Sequence, residues 1–188
     1  MVEQTYLGGQ FLIAMPSLRD PNFAQSVTYI CEHNKDGALG LVINRPTTVT
    51  LGELLEHMGQ QEVAIPEVRS TPILFGGPVQ TDRGFVLHSP CGVWEASLPV
   101  TTDIALSTSR DILLAMARGE GPRRAMVALG YAGWGAGQLE QEMADNAWLS
   151  GPADMRIVFD VPMETRWEAA AASLGVELTM LSGDVGHA

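Results

Sequence analysis

The chain has little of what most specialised proteins are built from. It holds two cysteines, Cys31 and Cys91, in 188 residues. Two thiols make no disulfide framework, and a reducing cytoplasm is the simplest compartment for them. There both read as small hydrophobes rather than nucleophiles. Basic residues are also scarce: 11 Lys and Arg against 22 Asp and Glu leave a formal net charge of −11. That field repels nucleic-acid phosphates and anionic headgroups, so direct DNA or membrane binding would need a local basic patch. Arg118, Arg123 and Arg124 come nearest to one, and they read as a solvated helix end. The uncharged stretches are broken by glycine and fall short of the ~20 apolar residues of a spanning helix. Glu3 stands where a signal peptide would be basic, so no signal peptide is expected.

Several chemical motifs are missing as well. There is no Gly-x-Ser-x-Gly elbow, and no Cys-x-x-Cys or His-Glu-x-x-His spacing. Glycines 130, 133, 135 and 137 follow the apolar run Ala125–Leu129 and outline a phosphate cradle. They match neither the dinucleotide pattern nor the Walker pattern, whose Lys is absent, and Glu140 and Glu142 would repel a bound anion. The bland reading is a tight turn before a helix. On a strand, Cys31 and His33 share a face that Glu32 does not, which leaves no metal set. No cofactor and no metal are expected. A Cys–His pair from Cys31 or Cys91 with His33 or His88 depends on the fold.

What is present is an ordinary globular composition, 46% hydrophobic and 18% charged. The length suits one domain, expected over 1–181 with 182–188 as a loose tail. Phe11–Met15 reads as a buried strand. Ser26–Pro46 reads as a hairpin about Asn34-Lys35-Asp36-Gly37, with His33 opposite Ala38 and Val27 near Asn44. A helix within 49–61 starts at a Thr50/Glu53 capping box and carries a structural His57. Strands are expected at 72–75, 84–88, 125–129 and 155–159, with an edge strand at 177–181. A turn falls at 81–84, and helices at 109–118, 138–148 and 164–174. Hairpins without regular strand–helix alternation indicate α+β, a mixed sheet packed against several helices.

Two polar groupings stand out. The hairpin puts Glu32 and His33 at its loop end and Asn44 and Arg45 at its open end. Gln138, Glu142 and Asn146, four apart, would share one helix face bracketed by Trp134 and Trp148. With His88, these make a candidate surface for which no catalytic roles can be assigned.

Taken together, Phe11–Pro16, Asp20–Phe23, Ser26–Tyr29, Glu32-His33, Gly37–Pro46, Gly76–Val79 and Gly84–His88 resemble the AlgH/YqgE family. So do Gly130–Trp134, Gly137–Glu140, Asn146 and Trp148. The resemblance spans about 7–159 and implies an α+β fold whose bifurcated sheet curls into a pseudo-barrel with flanking helices. One branch of the family is named as a regulator of transcription for alginate production, and no catalytic residues carry over. The expected function is a non-enzymatic cytoplasmic regulatory or binding protein acting through a protein partner, since −11 and no helix-turn-helix pattern argue against direct DNA contact. The alternative is an enzyme acting on a small molecule through Glu32, His33, Asn44 and Arg45.

Overall fold

The structure is a computed structural model and describes residues 5–181; the expected loose tail, 182–188, lies outside them. In chain order the first half forms β1 (Gln10–Ala14), β2 (Val27–Asn34), β3 (Gly37–Val42), β4 (Pro46–Thr50) and α1 (Leu51–His57). It continues through α2 (Pro66–Arg69), β5 (Pro72–Phe75) and β6 (Val79–Ser89). The second half forms β7 (Ser97–Pro99), β8 (Ala105–Ser107), α3 (Arg110–Ala117), β9 (Arg124–Gly135) and α4 (Gln138–Ala144). Then come β10 (Trp148–Pro152), α5 (Met155–Phe159), α6 (Arg166–Ser173) and α7 (Leu178–Leu181). The class is α+β, and the sheet is mixed: β5 runs parallel to β9 while the other pairings are antiparallel. It is also bifurcated, because the first half of β9 takes β5 and β6 as neighbours and the second half takes β3. No described helix is long and apolar enough to cross a membrane.

Among the described residues the chain divides into two compact units, 5–44 with 132–181, and 45–131. In the first, the strand order is β10–β1–β2–β3–β9. The hairpin forms as the sequence indicates: His33 faces Ala38, and Asn34 Oδ1 accepts from the Asp36 amide at 2.8 Å. Gly37 has φ +137°, and a Cβ there would collide with the Trp134 carbonyl. Leu12, Ile30, Trp134, Leu139 and Trp148 centre the core of this unit. In the second unit, α1 and α3 bury Leu51, Leu55, Ile112 and Leu113 against Ile73, Val86 and Val127. Its capping box is complete, with the Thr50 hydroxyl accepting from the Glu53 amide and the Glu53 carboxylate from the Thr50 amide.

Five expectations are corrected. Residues 155–159 form α5, not a strand; Asp154 Oδ1 accepts from the Arg156 amide at 2.9 Å and caps it, and a five-residue apolar run cannot by itself separate helix from strand. Residues 177–181 contain α7 rather than an edge strand. The glycines after Leu129 are not a turn, since β9 continues to Gly135. Gly130 has φ +76° and leaves no room for a Cβ beside the Gly77 carbonyl, so glycine serves close backbone approach inside the strand. The expected turn at 81–84 is a register shift within β6, between Val79 and Gly84. Finally, α4 stops at Ala144, Asn146 takes φ +58°, and Trp148 opens β10.

Candidate binding site

The site is built around α6. Arg166 opens that helix and is 5% exposed. A buried guanidinium needs acceptors for its donors. Its Nε donates to the Val161 carbonyl at 2.8 Å and its Nη1 to the Ile43 carbonyl. Burial lowers its pKa, while Glu164 and Asp160 push it back up. The next residue, Trp167, donates its indole N–H to the Ala14 carbonyl at 2.9 Å. Ala170 and Ala171 are fully buried, and such small side chains let α6 lie close on β1 and β2.

Beside α6 and α7 lies a groove of about 540 Å³, a size common for ligand sites. Its apolar bed is Pro16, Trp167, Ala172, Val176 and Leu178; its polar margin is Gln25, Glu168, Glu177 and Thr179. Gln25 has φ +56°, an unfavourable setting for a non-glycine residue. Asn44 holds it there: its Nδ2 donates to the Gln25 carbonyl at 2.9 Å, and its Oδ1 accepts from the Val27 amide at 3.0 Å. Asn44 therefore braces the groove from behind.

The other sequence-derived candidates sit elsewhere. His33 Nδ1 accepts from the Leu7 amide at 3.0 Å, which leaves Nε2–H to donate to Glu140 at 2.7 Å. Both ring nitrogens are thereby engaged and the ring orientation is fixed, with Tyr6 edge-on at 5.2 Å. The backbone N–H of Glu140, and then His33, hold the Glu140 carboxyl below its ordinary value against desolvation. Glu32 is exposed beside Asn34. The six residue steps from Val27 to His33 separate the two ends of the hairpin by about 20 Å, so Glu32 and His33 do not meet Asn44. Arg45 belongs to the other unit, where its carbonyl accepts from Phe75.

In that unit, His88 Nδ1–H donates to the Pro90 carbonyl at 3.0 Å, and its Nε2 accepts from the Ser107 hydroxyl at 2.7 Å. This resembles a nucleophile and its base, but both residues are fully buried. Desolvation lowers the His88 pKa, the Pro90 bond opposing it. Burial, with a smaller push from Glu32, raises the Cys31 thiol far above its ordinary value, which removes it as a nucleophile. Among the described residues, no group of three or more His, Cys, Asp or Glu side chains could hold a metal ion.

The Trp134 group forms only in part. Gln138 Oε1 accepts from the Gly135 amide at 3.0 Å, and Asn146 lies beyond the end of α4. Glu142 does meet both indoles, of Trp134 and Trp148, which pack with Phe23 at ring separations of 5.6 to 6.2 Å. Burial raises the Glu142 pKa, and Asp20 and Asp145 add to the rise while the two indoles oppose it. Neither Glu142 Oε2 nor Trp148 Nε1 has a hydrogen bond of ordinary geometry, so the indoles relieve only part of the cost.

Sequence reasoning missed Pro16, Gln25, Arg166, Trp167, Glu168 and α7. One signal was present: an adjacent Arg and Trp open a helix whose remaining interior residues are alanines.

Arg166→Met leaves the Ile43 and Val161 carbonyls without their donor. It is expected to cost about 3 kcal/mol in urea unfolding, and a loss below about 1 kcal/mol would contradict the anchoring role. A carboxyl whose pKa is raised by folding is destabilising once ionised; the cost grows as pH rises through the folded value and is absent below the unfolded value. Glu142→Gln should therefore raise the urea midpoint at pH 7 and lose that advantage toward about pH 4. A gain equal at both pH values would show that charge is not its cause.

The AlgH-like family profile matches residues 11–179. A UPF0301 protein of Thioalkalivibrio sulfidiphilus is 61% identical over 188 residues, the full length of both chains. One of Pseudomonas aeruginosa is 54% identical over 184 residues, 98% of this chain and 97% of that one. The solution structure of the AlgH protein from Pseudomonas aeruginosa superposes with TM-score 0.80 at 52% identity, covering 100% of this chain and 99% of that one. A protein of Corynebacterium diphtheriae, 19% identical, shares the fold with TM-score 0.73 over 97% of this chain and 94% of its own. The chain belongs to the AlgH-like family.

Proposed function

We propose that this protein is a non-enzymatic binding protein that regulates through a protein partner, part of which occupies the groove beside α6. One observation carries the reading. The groove of about 540 Å³ has an apolar bed and a polar margin, and among the described residues no histidine, cysteine, serine or lysine lines it. That suits recognition more than bond-making. The two histidines best placed for chemistry, His33 and His88, are themselves buried with both ring nitrogens engaged. An enzyme using Glu32, His33, Asn44 and Arg45 together would need them within hydrogen-bond reach, and the hairpin keeps His33 far from Asn44.

The regulatory part of the proposal follows the name given to one branch of the family. A cytoplasmic setting suits Cys31 and Cys91, both free thiols. Direct contact with DNA is disfavoured by the net charge of −11 and by the pairing of Arg118 with Glu120 at 3.1 Å.

Ala172→Phe fills the groove from an exposed position on α6. Affinity capture from native cells should recover a reproducible partner with the wild-type chain. The variant, with unfolding unchanged, should retain about tenfold less, equivalent to about 1.4 kcal/mol of binding. Equal recovery by both proteins, or no reproducible partner, would refute the proposal.

A further inference from the structure

We infer that the occupant of the groove is a basic, partly apolar segment of the partner chain, whose arginine or lysine stem lies on Trp167 and whose charge meets Glu168 and Glu177. This rests on the reading of the groove as a binding site and names the chemistry it selects.

The first argument is charge. The described residues 5–44 and 132–181 carry eleven acidic side chains and four basic ones, whereas 45–131 carry nine and seven. The acidity is therefore concentrated in the unit that holds the groove. One of its four cations, Arg166, is buried with donors committed to backbone carbonyls. Among the described residues, the groove itself is lined by two carboxylates and by no Lys, Arg or His. An anionic segment would be repelled there, and a cationic one drawn in.

The second argument is shape. Glu168, Ala172, Glu177 and Thr179 are exposed, so the groove is open along one side. Apolar surface continues past it on α7, where Met180 is 79% exposed and Leu181 37%. A chain segment can lie along that continuation, which a compact small molecule cannot reach.

The third argument is the pairing of an aromatic with acids. The indole N–H of Trp167 is fixed on Ala14, so the ring is held rather than free to turn. An aromatic ring beside carboxylates accepts the apolar stem and the charged head of one long basic side chain. Gln25, held by Asn44, supplies an amide for the backbone of an extended segment.

The test uses the full chain labelled with nitrogen-15 and two probes, acetyl-Leu-Arg-Phe-Leu-amide and the same peptide with citrulline, the neutral isostere, replacing Arg. The arginine peptide should saturably shift the Trp167 indole signal and the amides of Ala172, Glu177 and Thr179. The citrulline peptide should bind about fivefold more weakly. Glu168→Gln with Glu177→Gln should weaken the arginine peptide by a similar factor and leave the citrulline peptide unchanged. Added salt should weaken only the arginine peptide. Equal binding of both peptides at the groove would overturn the inference and leave the groove reading intact. Shifts confined to other surfaces, or none up to millimolar peptide, would overturn both.

Discussion

A guanidinium out of reach of water fixes whatever it touches, and Arg166 touches two backbone carbonyls from different parts of the chain, Ile43 and Val161. The helix it begins has little else to hold it. Burying the methyl groups of Ala170 and Ala171 contributes about 0.8 kcal/mol each, whereas a hydrogen bond from a charged donor contributes about 1.5 to 3 kcal/mol. Directional bonds from Arg166 and Trp167 therefore decide where α6 lies. Lysine could not replace the arginine, because a single ammonium does not present donors at fixed angles to separate acceptors. With α6 pinned to Ile43, Val161 and Ala14, Trp167, Glu168 and Ala172 are placed along one groove.

The two buried histidines are tied into the fold. His33 and His88 each use both ring nitrogens, and each ring is held in orientation by a backbone group: the Leu7 amide in one case and the Pro90 carbonyl in the other. The His88–Ser107 pair is fully buried and presents nothing to a ligand, whereas Glu140, beside His33, is partly exposed and keeps one oxygen without a partner among the described residues. Glu142 Oε2 is likewise without a partner, and burial between two indoles raises the Glu142 pKa. The groove differs from all of these in leaving its two carboxylates at an open edge.

Much of the fold was legible in the sequence because it is local. The Asn34–Gly37 loop and the Thr50/Glu53 box each close within a few residues, and both are present. Runs of about five residues were misread where a cap or a remote partner decides, as Asp154 does for α5. The glycines after Leu129 resemble a turn in sequence, yet Gly130 is required by the Gly77 carbonyl, some fifty positions away. The site was mostly hidden for the same reason. Arg166 meets Ile43 across 123 residues and Trp167 meets Ala14 across 153, and no spacing rule reports such contacts. Asn44 was visible as a polar residue at the open end of the hairpin, but its role in holding Gln25 was not.

The central claim is that the groove beside α6 is where another protein is held. It is tested most directly by placing a photo-crosslinking amino acid at position 172 of the full chain in living cells, with the same residue at 93 as control, since Val93 is 97% exposed in the other unit. The account predicts a discrete adduct from position 172 alone, joined to a partner segment that contains arginine or lysine among apolar residues. Equal labelling from both positions, or no adduct from 172, would contradict it.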